Sequence, residues 1–169
     1  SPYAVQKLVG EMYCKTYFDN FGLRTTALRY FNVYGPYQDP DSEYSAVIPI
    51  FIRQAQLNEP ITIFGDGTTS RDFTYIEDVI QANLRAALSN ASDGHVVNVA
   101  FGKRFTLTDL AKTIIENIKS TSSIKYSDFR KGDVLHSLAD LSVTKELIGY
   151  EPLFNLSKGL SKTIDFYKN

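Results

Sequence analysis

An α/β fold is predicted, on three grounds. Some stretches carry apolar residues at helical spacing, others are β-branched and continuously apolar, and the two kinds alternate along the chain without an internal repeat. With 169 residues, 43% of them hydrophobic and 13% aromatic, the chain is long and apolar enough to bury a core, either as one domain or as part of a larger one.

The elements follow in order. Residues 3–21 carry apolar side chains on two faces and stop before Gly22, which reads as a helix with a glycine end. TTALRYFNV, 25–33, reads as a buried strand, and 34–44, with Gly and two prolines, as a loop. SAVIPIFIRQAQLN, 45–58, reads as a helix, because Pro49 falls near its first turn, where a proline is tolerated. ITIFGDG is a short strand entering a Gly-Asp-Gly turn, and 78–90 is a helix. HVVNVA is a strand, and TLTDLAKTIIENIKS a helix capped by Thr106 or Thr108. IKYS forms a last strand, followed by helices over 142–149 and 156–169.

Composition narrows the function. A formal net charge of -1 with acids and bases interspersed gives no footprint for nucleic acid or an anionic membrane, while a small anionic ligand stays open. One cysteine, Cys14, excludes an internal disulfide framework, and with two histidines it cannot build a familiar zinc site. No apolar run reaches membrane-spanning length and no basic segment leads into one, so a cytoplasmic location is expected.

Tyr3 and Lys7 sit four residues apart, on one face of the first helix. A phenol near pKa 10 is a poor base, but a neighbouring cation favours the phenolate, so the two form a plausible acid/base pair. The same spacing also arises by chance in a chain rich in both residues. Asn32 stands at the end of a strand, where ligands of open α/β sheets bind, whereas packing explains Tyr30 and Phe31 equally well. Arg71 and Arg130 are multi-donor cations beside loops, suited to an anionic group. Cys14, His95 and His136 read as structural or surface residues, and Asp72, Glu77 and Asp78 as acids favouring a helix N-terminus. None is a metal candidate. No glycine-rich phosphate turn of the G-x-G-x-x-G kind occurs, so the chain is expected to be the back half of an enzyme.

SPYAVQK, LRYFNVYGP, FGDG, SRDFTYIEDV and FRKGDVLHSLAD, in that order, resemble the C-terminal half of the extended short-chain dehydrogenase/reductase family, and within it the nucleotide-sugar 4-epimerases of the UDP-N-acetylglucosamine type. The resemblance covers essentially the whole chain. It implies the end of a doubly wound, parallel-sheet NAD-binding domain over residues 1–40. Residues 41–169 would form mainly a smaller α/β substrate domain, with 70–100 returning in part to the main sheet. It further implies NAD as cofactor, a UDP-sugar as substrate and a homodimer formed through the first helix.

Each site residue then acquires an implied role. Tyr3 takes the proton of the sugar 4-hydroxyl while hydride leaves C4 for the nicotinamide, giving a 4-keto sugar that turns over and is reduced on its other face. Lys7 lowers the phenol pKa and bonds the nicotinamide ribose, and Tyr30 lies near the nicotinamide. Asn32, Arg71 and Arg130 hold the diphosphate, with Arg104 a weaker candidate, and Asp133 pairs with an arginine or a ribose hydroxyl. Phe64, Val47 and the backbone around Thr62 border the uracil, and Gln38 faces the sugar. Ser137 borders the C2 substituent, where a small hydroxyl leaves room for an N-acetyl group, so UDP-GlcNAc/UDP-GalNAc interconversion is expected. A 4,6-dehydratase or decarboxylase of the same family, or a non-catalytic sugar-nucleotide-binding module, are the alternatives. The 169 residues alone are expected neither to retain NAD nor to catalyse.

Overall fold

The computed structural model describes residues 1–41, 46–129 and 132–168. Six helices and eight strands alternate among the described residues, in mostly parallel pairings. Helix α1 (Pro2–Phe21) opens with Ser1 accepting from the Ala4 N–H and closes on Gly22 in the left-handed conformation. None of its residues is buried. Its inner edge carries the half-buried Glu11, Cys14 and Phe18. Glu11 receives a two-pronged bond from Arg29 at 2.7 and 2.6 Å, which holds the carboxyl of Glu11 below its usual range, and Cys14 accepts the Thr25 hydroxyl.

β1 (Thr26–Tyr30) pairs in parallel with β6 (His95–Val99). The strand expected to run to residue 33 breaks at Asn32, whose φ of 35° lies on the left-handed side that an L residue seldom adopts but asparagine tolerates. The chain then resumes as β2 (Val33–Tyr34) beside a different partner, β5 (Thr74–Tyr75). Thr74 clamps the break by donating its hydroxyl to Phe31 O and its N–H to Asn32 O.

Helix α2 (Val47–Gln56) is shorter than expected, because Asn58 turns left-handed just past its end. Pro49 falls in its first turn, where a missing N–H costs nothing. β3 (Ile61–Phe64) pairs in parallel with β8 (Ile124–Ser127). β4 (Ser70–Asp72) and β7 (Arg104–Thr106) form an antiparallel pair. β4, β5 and β7 hold two or three residues each, too few for periodicity to show. Helix α3 (Ile76–Leu88) starts two residues before the expected 78, after an extended Tyr75. Helix α4 (Leu107–Ile118) takes Thr106 as its cap, which settles the choice between the two threonines. Helices α5 (Ser142–Ile148) and α6 (Leu156–Tyr167) close the chain.

Two apolar cores result. The larger gathers Tyr34, Phe51, Ile63, Leu110 and Leu160 with their neighbours, and the smaller gathers Val79, Ala82, Val97, Val99 and Tyr150. Ile76 packs against both.

Of the acids expected at a helix N-terminus, Asp72 lies in a strand instead, while Asp78 and Glu77 sit in the first turn of α3 as expected, Asp78 with a second duty. Asp72 lies in β4, fully buried, and its carboxylate accepts the N–H groups of Phe101, Gly102 and Ala139. Asp78, also buried, accepts those of Leu153 and Phe154. Each satisfies loop donors that would otherwise be stranded, which binds it to the fold more tightly than a helix dipole could. Glu77 keeps its place in the first turn and pairs with Lys162 at 2.8 Å.

Asp72→Ala strands those buried donors and is expected to cost roughly 3 kcal/mol of stability, read as a shift in denaturant midpoint at unchanged slope. Burial raises the Asp72 carboxyl above its ordinary value, although the N–H bonds pull it down. The contribution from this group is therefore fully present below the unfolded value, near 4, and is lost as pH rises through the raised folded value. Asp72→Asn should remove that segment of the stability-versus-pH curve, and an unchanged curve would refute the assignment.

Candidate functional site

The break after β1 places Asn32 where α2, β3, β4 and the segment 132–137 converge. A cavity of about 490 Å³ opens there, bounded by one face of α2, the end of β3 and Phe73. A second, shallower hollow of about 360 Å³ lies beside it, bordered by Tyr30, Gly132, Val134 and Ser137. Asn32, Arg71 and Asp133 line both and form the junction between them.

Backbone and side-chain bonds aim these groups. Asn32 donates its amide to Asp72 O at 3.0 Å and to the Ser137 hydroxyl at 3.4 Å. Ser137 is fixed in turn by its N–H on Ser70 O, while Ser70 N–H bonds Leu135 O. The Ser70 hydroxyl lies 2.8 Å from His136 Nδ1, so the whole segment runs against β4. Arg71 donates from one guanidinium nitrogen to Ser70 O and Leu135 O and makes no ion pair among the described residues. A half-buried cation so aimed, with donors left over, suits an anionic oxygen. Tyr30 gives its phenolic proton to Asn83 on α3 at 3.0 Å, which orients its ring at the hollow.

Of the residues singled out from the sequence, Asn32, Val47, Thr62, Phe64, Arg71 and Asp133 line the cavity, and Tyr30 and Ser137 the hollow. Gln38 does neither. Its amide accepts from Gly35 N–H and donates to Val33 O, so it closes its own loop and does not face the hollow. Arg104 is exposed on β7 opposite Asp72 and borders neither space. Arg130 lies outside the described residues. Tyr3 and Lys7 share a face of α1, with the ammonium 5.3 Å from the ring centroid, but they border neither space and Tyr3 is 67% exposed.

Sequence reasoning named Val47 but missed the rest of the α2 side of the cavity. Ile50, Phe51 and Gln54 follow Val47 at i+3, i+4 and i+7, and that spacing marks them as one face. It also missed a close contact at the rim, where the Phe129 ring rests on Gly65. A Cβ on Gly65, at φ 91°, would come within 2.5 Å of that ring, so the Gly-Asp-Gly turn is what admits the segment after β8.

The chain spans about half the length of the known proteins it matches. A putative UDP-glucose 4-epimerase of Methanocaldococcus jannaschii is 37% identical over all of this chain, which spans 54% of that protein. A solved UDP-N-acetylglucosamine 4-epimerase from Methanobrevibacter ruminantium, in complex with UDP-N-acetylmuramic acid, superposes with a TM-score of 0.94 at 41% identity, over 99% of this chain and 54% of that one. A Bacillus cereus UDP-glucuronic acid 4-epimerase, solved with UDP-glucuronic acid and NAD, gives 0.88 at 35% identity, over 99% and 52%. The NAD dependent epimerase/dehydratase family matches residues 1–100, more than half of the chain, and its α/β fold with parallel pairings is the one described above. The chain belongs to the NAD dependent epimerase/dehydratase family.

Proposed function

We propose that this chain supplies the substrate site and the acid/base pair of an enzyme that inverts C4 of a UDP-sugar, with UDP-GlcNAc and UDP-GalNAc as the pair interconverted. The observation that carries the reading is the junction of Asn32, Arg71 and Asp133 between an apolar cavity and a polar hollow. A diphosphate at that junction sends its nucleoside one way and its sugar the other.

Arg71 offers its free guanidinium donors to the phosphate oxygens, and Asn32 steadies the wall behind them. Tyr30 and Ser137 border the space left for the sugar. The small Ser137 side chain, already in reach of the Asn32 amide, leaves volume for an N-acetyl group and a hydroxyl to bond it. Tyr3 is the group proposed to take and return the proton of the sugar 4-hydroxyl, with Lys7 on the same helical face favouring the phenolate.

NAD fits the donor set of α1 and β1: a phenol and an ammonium on one exposed face, and Tyr30 at a strand end, are the kinds of group that hold a nicotinamide ribose and ring. When bound it supplies the hydride acceptor and donor. The names of the relatives support the same choice, since one is solved with NAD and another is a UDP-N-acetylglucosamine 4-epimerase. The whole enzyme is proposed to pair as a homodimer through α1, whose Leu8, Met12 and Tyr13 stand 48%, 58% and 62% exposed. No helix among the described residues is long and apolar enough to cross a membrane.

Tyr3→Phe in the full-length enzyme is expected to lower kcat for UDP-GlcNAc epimerisation by at least about 100-fold, the usual scale for losing a positioned acid/base group, with little change in UDP affinity. Retained turnover would exclude Tyr3. Replacing Ser137 by Tyr should abolish turnover of the N-acetylated sugars through overlap while UDP-glucose turnover stays measurable, and equal rates on UDP-GlcNAc before and after would remove Ser137 from the sugar site. The 169 residues by themselves are expected to show no epimerisation, because Tyr3 and Lys7 stand uncovered among the described residues. A coupled assay detecting product would contradict this.

A further inference from the structure

His136 reads from the sequence as a structural or surface residue, but the fold sets it across from Ser70 in an isolated parallel bridge. The buried Ser70 hydroxyl lies 2.8 Å from His136 Nδ1 and bonds no other group among the described residues. Neither residue borders the cavity or the hollow, whereas the next residue along each stretch does: Arg71 on β4 and Ser137 on the segment 132–137. Neighbours on an extended chain point to opposite faces, so the Ser70–His136 contact sits behind the wall that Arg71 and Ser137 present.

Little else fixes this segment. Val134 and Leu135 are exposed, and a Cβ added to Gly132, at φ 88°, would meet nothing within 4 Å. Its backbone reaches β4 through Ser70 N–H on Leu135 O and Ser137 N–H on Ser70 O, with an Arg71 donor on the same Leu135 oxygen. Ala139 N–H on the Asp72 carboxylate tethers the far end, two residues past Ser137. Backbone groups are alike at every position, so a pair of such bonds does not choose a register. A slip of one residue would turn Ser137 away from Asn32 and bring a neighbour into its place. The Ser70–His136 pair is a side-chain contact that forms in one register only.

We propose that His136 is a positioning residue for the sugar site: by bonding the Ser70 hydroxyl it sets the register in which Ser137 meets Asn32 and faces the C2 substituent of the sugar. This rests on the nucleotide-sugar reading above and adds to it a residue that touches neither substrate nor cofactor. A hydroxyl both donates and accepts, so the contact forms whichever tautomer His136 takes. Its loss leaves Arg71 in place, since Arg71 belongs to β4 itself. The effect therefore falls on the sugar end of the ligand and not on its anionic end.

The test compares, in the full-length enzyme, kcat/KM for UDP-GlcNAc with kcat/KM for UDP-glucose, which has no N-acetyl group for Ser137 to bond. His136→Leu and Ser70→Ala each remove the contact, and each is expected to lower the UDP-GlcNAc value about tenfold while UDP-glucose changes less than about twofold. Because both delete the same contact, the double variant should lose no more than either single one. His136→Asn puts an amide atom at the place of Nδ1 and should restore the parent's preference. A residue that only stabilises the fold would lower turnover of both sugars together. Equal losses on the two, or an unchanged preference, overturn the proposal and leave the nucleotide-sugar reading standing. A parent inactive on UDP-GlcNAc overturns both. Should His136→Leu fail to fold, seen as lost circular dichroism, Ser70→Ala decides by the same ratio.

Discussion

The buried carboxylate of Asp72 is the constraint on which the site depends. It gathers N–H groups from the turn after β6 and from the segment that ends at Ala139, two stretches far apart in sequence. Its own carbonyl takes the Asn32 amide. The residues before and after it, Arg71 and Phe73, both border the cavity. One charged side chain, moved out of water into a shell of backbone donors, thereby fixes the cation, the amide and the wall of the candidate site together. Asp78 does the same for the turn before α6, so each end of the 72–78 stretch is nailed to a different loop.

The arrangement explains why so many polar groups sit so near two apolar cores. Isolated charges do not survive burial, but carboxylates whose oxygens are filled by backbone N–H groups do. Loops brought in this way contribute side chains to the site without needing a core of their own. Ser137 is an example: it stands on a segment whose backbone lies against β4, and it meets Asn32 across 105 positions of sequence.

Helices and the longer strands were legible because their apolar spacing repeats often enough to declare a period, as in α4 and in β6. The two-residue and three-residue strands were not, since a motif such as SRDFTY says which residues matter but not that they pair with distant backbone. Residue types exposed the site better than their partners. Asn32, Arg71 and Ser137 stand out chemically and do converge, whereas Gln38 looks equally suited to a sugar and spends its amide on its own loop. Asp72 misled for the opposite reason: a carboxylate near a helix start suggests a dipole interaction, and only the folded chain shows that it lies in a strand and which N–H groups it collects.

The left-handed backbone at Asn32 acts as a double filter on what evolution can place there. The conformation admits glycine, asparagine and aspartate at low cost and penalises most other side chains. The bonds to Asp72 O and Ser137 demand a donor of about the length of an amide arm. Glycine passes the first requirement and fails the second, and aspartate adds a negative charge against a carbonyl oxygen that it cannot bond. Asparagine meets both, so the choice of residue at this position is set by two independent physical requirements meeting at one Cα.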